Sequence, residues 1–141
     1  MFAALRGFGQ QLVRAGLQLL LVVALAFGLS ACGGTPSGLS GSYVDDTVSV
    51  ATSLLNTIAP EDGKASSEQQ QQARELINDY IALYRPNGRV NGLASFTTMQ
   101  TALNSLAGHY ANYNNRPLPD DLRARLEKEL HKAELSVVRG S

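Results

Sequence analysis

The sequence predicts an all-α fold, a four-helix bundle whose successive helices run up, down, up and down. Three observations support this prediction. Apolar residues recur at steps of three and four in four separate stretches, which is the helical period. No segment alternates between apolar and polar residues for long enough to form a convincing strand. The links between the stretches are short, which favours antiparallel neighbours.

The helical part follows a segment, residues 1–31, that is typical of an export signal. Arg6 and Arg14 give this segment a basic start, and residues 15–29 are fifteen consecutive uncharged residues. Fifteen residues are too few to cross about 30 Å of hydrocarbon comfortably, since a spanning helix needs roughly 20. A basic start, a short apolar run and small residues together indicate a secretory signal. We therefore expect residues 1–31 to be removed from the mature protein.

Cys32, the only cysteine of the chain, directly follows this segment. The sequence Leu29-Ser30-Ala31-Cys32 resembles the bacterial lipobox, in which a diacylglycerol is joined to the thiol and the chain is cut before the cysteine. The alternative is a free or buried thiol beside an uncleaved anchor. A lipidated Cys32 would carry at least two acyl chains, which hold a protein stably on a membrane, whereas one chain does so only marginally.

Residues 32–42 are predicted to form a lipidated flexible tether. Ten of them, residues 33–42, include four glycines, three serines and one proline. A chain of this composition has a root-mean-square reach of about 17 Å. The remaining residues, 43–141, form the predicted bundle. A modest core without any disulfide favours dense helical packing.

Caps and breakers delimit the first two predicted helices. Asp45 and Asp46 lie in the first turn of the first helix, where acidic side chains complement the helix dipole. Ser66 and Gln69 have the spacing of a capping box for the second helix, which ends before Pro86, and residues 69–72 are expected on its surface. The expected core stripes are Val44, Val48, Ala51, Leu55 and Ile58 in the first helix, and Ala73, Leu76, Ile77, Tyr80, Ile81 and Tyr84 in the second.

The third and fourth predicted helices have their own start signals. Ser95 is the candidate cap of the third helix, and Pro119 suits the first position of the fourth. The expected core stripes are Phe96, Met99, Leu103, Leu106, Tyr110 and Tyr113 in the third helix, and Leu122, Leu126, Leu130, Ala133 and Val137 in the fourth. Two exposed ion pairs are expected on the fourth helix: Arg123–Glu127 and Arg125–Glu129.

The chain offers few groups for chemistry. Twelve basic and twelve acidic residues give no net charge, so the basic excess of a nucleic-acid-binding protein is missing. His109 and His131 stand in no pattern typical of metal ligands, and surface positions are expected for both. The sequence has neither a phosphate-binding glycine loop nor a nucleophile elbow. We therefore expect a protein without enzyme activity, cofactor or metal.

One stretch differs from an ordinary bundle surface. Residues 90–115 contain no Asp, Glu, Lys or Arg, although 17% of the chain is charged. At 100° per residue, the side of the third helix opposite its apolar stripe is polar but uncharged. This side is either an ordinary Thr/Asn surface or a docking face, because interface centres are depleted in charge. The docking face would consist of Thr97, Thr101, Asn104, Gly108 and Asn112, with Arg116 at its border.

Several stretches of this chain resemble a known family. Residues 95–108, with the sequence SFTTMQTALNSLAG, carry most of the resemblance. Residues 77–80, residues 116–119, Ala133-Glu134 and Arg139-Gly140 agree as well. Together with the lipobox at Cys32, they resemble the cyanobacterial photosystem II assembly lipoproteins and their lumenal plant relatives.

The resemblance implies a four-helix bundle held by lipid on the lumenal side of the thylakoid membrane, without catalytic activity or cofactor. Its implied partners are the smaller chlorophyll-binding inner antenna protein and the photosystem II assembly intermediates. Binding there during assembly or repair would keep the manganese-cluster site accessible until the extrinsic subunits dock. We expect a monomer. The alternatives are a generic periplasmic envelope lipoprotein that scaffolds another complex and, with less support, a small-molecule carrier.

Overall fold

The computed structural model describes residues 37–60 and 64–141. Within these ranges the chain forms four α-helices and no strand. The helices are α1 (Tyr43–Ile58), α2 (Ser67–Tyr84), α3 (Ala94–Asn112) and α4 (Asp120–Val138). No described helix is both long and apolar enough to cross a membrane. The predicted signal segment, Cys32 and residues 33–36 of the predicted tether lie outside the described residues.

Each helix packs against two neighbours, so that α1 and α3 both contact α2 and α4. The start of α1 meets the end of α2, where Thr47 Oγ1 lies 2.7 Å from Tyr80 Oη. The end of α1 meets the start of α4, where the Arg123 guanidinium donates to Pro60 O at 3.1 Å. Successive helices are therefore antiparallel. The predicted up-down-up-down four-helix bundle is confirmed.

The two ends of the bundle contain different segments. The tether end comprises the starts of α1 and α3, the ends of α2 and α4, residues 37–42, which lead into α1, and residues 85–93. The far end comprises the opposite helix ends and the links between them. At the tether end, Tyr43 Oη lies 2.7 Å from Ser95 Oγ, and Ser95 N donates to Ser141 O at 3.2 Å. These contacts join α1, α3 and the chain after α4.

Apolar and aromatic side chains from all four helices fill the core. The largest fully buried side chains include Leu54, Ile58, Tyr80, Phe96, Met99, Leu103, Leu106, Tyr110, Leu126 and Leu130. The predicted core positions of α2 are buried or partly buried. Its capping box is also present, because Ser66 Oγ accepts from Gln69 N at 3.1 Å and Gln69 Oε1 accepts from Ser66 N at 2.8 Å. This local prediction is confirmed.

The buried stripe of α1 is rotated relative to the predicted one. Val44 is 43% exposed, and Val48 and Leu55 are only partly buried. Thr47 and Leu54 are fully buried in their place. The predicted stripe contained only apolar residues. Thr47 nevertheless takes an interior position, because its hydroxyl has a buried hydrogen-bonding partner in α2.

Three predicted positions at the ends of α3 and α4 were wrong. Ser95 lies inside α3 and is fully buried, and Leu93 occupies the N-cap position. Pro119 is the N-cap of α4 and not its first helical residue. Tyr113 follows the end of α3 and is 51% exposed, because the helix ends one residue too early to turn this side chain inward.

Two polar side chains expected at the surface are buried. Gln70 donates through Nε2 to Ala65 O at 2.9 Å, which satisfies its amide inside the link before α2. His109 is 8% exposed and lies between two tyrosine rings, with Nε2 3.4 Å from Arg116 O. Each of these side chains has a backbone carbonyl near its polar atom, which reduces the cost of burying it. The other histidine, His131, is exposed as predicted.

The predicted ion pairs of α4 are partly correct. Arg125 Nε lies 3.9 Å from Glu129 Oε1, as the spacing predicted. The guanidinium of Arg123, however, contacts Asp120 Oδ1 at 3.2 Å, three residues earlier, instead of Glu127. Because Arg123 also donates to the carbonyl of Pro60, two residues after α1, its side chain is drawn toward the start of its own helix.

Candidate docking face on the third helix

The residues of the predicted docking face lie along one outer side of α3 and just beyond its end. Four of them are exposed polar residues of the helix, and Gly108 between them is partly buried. From residue 97 to residue 112 the helix rises about 22 Å. Arg116 is exposed in the link that follows. The predicted docking face is therefore one continuous strip of Thr97, Thr101, Asn104, Gly108 and Asn112, bordered by Arg116.

The hydroxyl groups along this strip donate to the backbone of their own helix. Thr97 Oγ1 donates to Leu93 O at 3.3 Å, and Thr101 Oγ1 donates to Thr97 O at 2.9 Å. Ser105 Oγ continues the series by donating to Thr101 O at 3.0 Å. Sequence analysis missed Ser105, although the step of four from residue 97 to 101 to 105 could have indicated it. A partner that covered the strip would leave none of these hydroxyl donors without an acceptor.

The amide of Asn112 follows the same pattern. Its Nδ2 donates to Gly108 O at 2.8 Å, again four residues earlier. The strip is thus polar in composition, but much of its hydrogen-bonding capacity is used within α3. Covering such a surface removes less hydration than covering a surface of unpaired polar groups.

Gly108 has no packing role within the described residues. A Cβ placed on it would meet no atom within 4 Å, and its backbone has the ordinary helical conformation. Glycine inside a helix costs about 1 kcal/mol relative to alanine. The residue therefore lowers the stability of α3 while leaving an open notch on an exposed strip. A close approach by the backbone of another molecule would explain both properties.

Basic and aromatic groups border the strip toward the far end. The guanidinium carbon of Arg116 lies 6.0 Å from the centre of the Tyr113 ring, and that ring is 5.4 Å from the ring of His109. On the side of α4, Arg125 Nη2 donates to Ser105 Oγ at 3.3 Å. An uncharged centre with Arg and Tyr at its edge has the composition of a protein-binding surface.

A second site, at the tether end, was not singled out by sequence analysis. Asp46 is 3% exposed. Its carboxylate accepts hydrogen bonds from Ser40 N at 2.8 Å, from Ser40 Oγ at 2.7 Å and from Gly41 N at 2.9 Å. It also accepts one from Tyr84 Oη at 2.5 Å. Burial by itself would raise the pKa of Asp46, but the hydrogen bonds from Tyr84, Ser40 and Gly41 outweigh burial and hold the pKa below its ordinary value. The ionised carboxylate therefore ties residues 40–41 to the end of α2.

The last part of the predicted tether is packed against the bundle. Leu39 is buried in the core cluster, and Ser37 Oγ donates to Asp79 Oδ2 at 2.5 Å. The prediction of a flexible tether extending to Ser42 is therefore wrong for residues 37–42. Leu39 is the only large apolar residue among residues 33–42, and it could have indicated this contact.

Other polar side chains of the described residues make surface contacts or line an open groove. His131 Nδ1 lies 3.2 Å from Glu134 Oε2, and Thr52 Oγ1 donates to Glu134 Oε1 at 3.0 Å. Across residues 37–60 and 64–141, no cluster of three or more His, Cys, Asp or Glu side chains is arranged to hold a metal ion. A groove of about 540 Å³ lies between α2 and residues 114–115 and is lined by polar side chains.

The described residues thus form a small all-α helical bundle, and the strip gives it one uncharged helix face. The chain belongs to the family described as Photosystem II Pbs27, which residues 10–137 match. It is 49% identical over 123 residues to the Photosystem II lipoprotein Psb27 of Synechocystis sp., covering 86% of this chain and 91% of that protein. It is 46% identical over 120 residues to the Photosystem II assembly factor lipoprotein Psb27 of Thermosynechococcus vestitus, covering 84% of this chain and 90% of that protein.

A solved structure agrees with the fold as well. The solution structure of Psb27 from cyanobacterial photosystem II is similar with a TM-score of 0.66 at 46% sequence identity, covering 79% of this chain and 96% of that chain. The family resemblance noted in the sequence and the predicted fold class are both confirmed.

Proposed function

We propose that this protein is an assembly and repair factor of photosystem II that acts by binding and not by catalysis. Membership of the family and the names of its cyanobacterial relatives support this role. The proposed partner is the smaller inner antenna protein in assembly intermediates, bound on its lumenal side. While bound there, the bundle keeps the manganese-cluster site accessible before the extrinsic subunits dock.

The proposed location is the lumenal surface of the thylakoid membrane. Residues 1–31 are removed, and lipid on Cys32 anchors the mature chain. The short distance between anchor and bundle raises the local concentration of the bundle near membrane-embedded partners. The mass of the native protein tests this part of the proposal: a chain that begins at a lipid-modified Cys32 supports it. An unmodified thiol still joined to residues 1–31 would contradict it.

The proposed contact surface is the docking face of α3. The observation that carries this choice is Gly108, which lowers helix stability, fills no packing role in the described fold and leaves a notch on an uncharged strip. A partner helix or loop lying across the notch would approach the α3 backbone closely. The hydroxyl and amide donors around it already have acceptors within α3.

The test is a pair of charge-introducing variants of the full chain. Gly108→Arg with Asn104→Glu places a bulky cation and an anion on the docking face. Asn78→Glu with Ala82→Arg places the same two charges, also four residues apart, on the exposed side of α2 and serves as the matched control. Both proteins are checked for folding by circular dichroism. Each is then used to isolate complexes from detergent-solubilised thylakoids.

We expect the α3 variant to lose the antenna and reaction-centre subunits and the α2 variant to retain them. Retention of those subunits by a folded α3 variant would contradict the proposed surface. Recovery of envelope proteins alone by the unmodified protein would contradict the proposed role and favour the envelope scaffold. Cross-linking mass spectrometry on the assembly intermediate then identifies the residues in contact.

A further inference from the structure

Exposed apolar side chains are concentrated at the tether end of the bundle. Among the described residues, the exposed large hydrophobic side chains are Val44, Leu83, Tyr113, Leu135 and Val138. All but Tyr113 lie within one helical turn of the tether end, in the first turn of α1 or in the last turns of α2 and α4. Val138 is 69% exposed and Leu135 is 58% exposed, and neither value is explained by packing within the described fold.

Three exposed arginines lie at the same end. Arg85 and Arg139 occupy the C-cap positions of α2 and α4, and Arg89 lies in the link from α2 to α3. None of these guanidinium groups forms an ion pair with a carboxylate of the described residues. Asp46 at this end is buried and hydrogen-bonded, which leaves Asp45 as the exposed acid beside them. The exposed charge of the tether end is therefore predominantly positive.

The path of the chain decides which end can reach a membrane. Ser37 is held at Asp79, five residues before the end of α2, so it lies about 8 Å from the tether end and about 18 Å from the far end along the helix axis. The five residues from Cys32 to Ser37 span at most about 18 Å. A lipid on Cys32 therefore allows the tether end to touch the bilayer easily, whereas the far end could do so only with a fully stretched chain.

We propose that the tether end docks on the surface of an anionic lipid bilayer. Its exposed aliphatic side chains enter the boundary between headgroups and acyl chains, and its arginines bind anionic headgroups. This inference rests on the lipid anchor of the proposed function. Docking would also orient the attached bundle, because α3 would then lie roughly perpendicular to the membrane plane. The docking face would then extend away from the bilayer.

The test measures which end of the lipidated protein contacts the bilayer. The full chain is produced in a bacterium that processes lipoproteins, and mass spectrometry verifies the lipid on Cys32. Because that thiol is then consumed, a cysteine introduced by Val138→Cys is the only one that can be labelled. Tyr113 is the exposed large hydrophobic residue, among those described, that does not lie at the tether end. Tyr113→Cys therefore provides the matched label at the far end. Each fluorescent label is measured in vesicles that contain quencher-bearing lipids.

We expect several-fold stronger quenching at position 138 than at position 113 in vesicles containing phosphatidylglycerol. The difference should fall in vesicles of phosphatidylcholine alone. It should also fall when Arg85→Gln, Arg89→Gln and Arg139→Gln are combined. Equal quenching at the two positions would overturn the proposal. Quenching that changes neither with lipid charge nor with substitution of the three arginines would overturn it as well. Concentration-dependent dimers that are lost on Val138→Asp would assign this surface to a second copy of the chain and overturn it equally.

The experiment separates the absence of a lipid anchor from the failure of the tether end to bind the bilayer. If mass spectrometry finds no lipid, the proposed anchor at Cys32 is wrong. The unlipidated full chain is then sedimented with the same two kinds of vesicle. Arginine-dependent binding to the anionic vesicles alone would still support docking of the tether end, whereas no binding would overturn it.

Discussion

The two ends of the bundle differ in how completely their buried polar groups are paired. At the tether end, the carboxylate of Asp46 accepts from Tyr84 and from residues 40–41, and Thr47 pairs with Tyr80. The two tyrosine rings of α2 also contact each other, with centroids 5.0 Å apart. Each buried polar side chain in this cluster has a hydrogen-bonding partner. The cluster therefore specifies one arrangement of α1, α2 and residues 40–41, which lead into α1.

At the far end the pairing is weaker. The hydroxyl of Tyr110 is buried and has no hydrogen-bond partner among the described residues, and its burial raises the pKa of Tyr110 to about 12. The contact from His109 to Arg116 O is long, at 3.4 Å. Asn115 in the following turn has a positive φ of 63°. The fold is therefore specified most strongly at the tether end, where the chain enters the bundle.

The largest expected effect is the loss of Asp46. Asp46→Ala leaves the Tyr84 hydroxyl and two backbone N–H groups without their charged acceptor and should lower the free energy of unfolding by about 3 kcal/mol. Asp45→Ala in the same turn removes an exposed acid and should have little effect. Urea unfolding measures both. Equal losses would show that the network at Asp46 contributes nothing beyond the helix dipole.

Acid should abolish the contribution of the ionised Asp46. Because folding lowers the pKa of this carboxyl, its stabilisation is complete above the ordinary Asp pKa of about 3.9 and is lost as the pH falls below it through the lowered pKa. The difference in unfolding free energy between the unmodified protein and Asp46→Asn should therefore be constant from about pH 5 to 8 and should shrink below about pH 4. A difference that persists in acid would contradict this assignment.

The second largest effect is expected at Leu39. Leu39→Ala removes a side chain that is buried in the core and should lower the free energy of unfolding by about 2 kcal/mol. Leu135→Ala, at a residue that is mostly exposed, should change it little and provides the control. Indistinguishable unfolding curves for the two variants would mean that residues 37–42 do not pack on the bundle in solution.

A smaller effect is expected at the hydroxyl pair between α1 and α2. Thr47→Val leaves the buried Tyr80 hydroxyl unpaired and should cost about 1–2 kcal/mol of unfolding free energy. Adding Tyr80→Phe removes the unpaired group and should restore most of that loss. The unmodified protein, Thr47→Val, Tyr80→Phe and the double variant form a double-mutant cycle by urea unfolding. Additive losses in the double variant would contradict a direct hydrogen bond.

The smallest effect is expected at the far end. Tyr110→Phe removes a hydroxyl that has no partner among the described residues, so the free energy of unfolding should stay the same or rise by up to about 1 kcal/mol. Tyr84→Phe at the tether end removes a hydroxyl that donates to Asp46 and should lower it clearly. A larger loss for Tyr110→Phe than for Tyr84→Phe would reverse the contrast between the two ends.

The sequence predicted those parts of the fold that depend on neighbours a few residues apart. The capping box of Ser66 and Gln69 joins positions three residues apart, and the stripe of α2 repeats within two turns, so both are visible in the pattern. The partners Asp46 and Tyr84 are 38 residues apart. No local pattern indicates that a carboxylate and a phenol will meet inside a core. The burial of Asp46 and the rotation of α1 therefore required the structure.

Some features of the predicted docking face could likewise be predicted from the sequence, whereas others required the structure. Its lack of charge is a property of composition and could be predicted, as could the outward direction of Thr97 and Thr101. The open space beside Gly108 could not, because only the structure shows that no side chain or backbone of the described residues occupies it. Arg116 was predicted at the border of the strip. The contact from Arg125 to Ser105 was not, because it depends on the packing of α4 against α3, which helical periodicity does not indicate.

The absence of charge along the outer strip of α3 has a consequence for release. Dissolved ions weaken contacts between exposed charges and act little on contacts between neutral groups. An interface centred on this strip should therefore persist through changes in ionic strength. Detachment would then depend on competition, in which a later subunit occupies the same area and excludes the bundle by its volume.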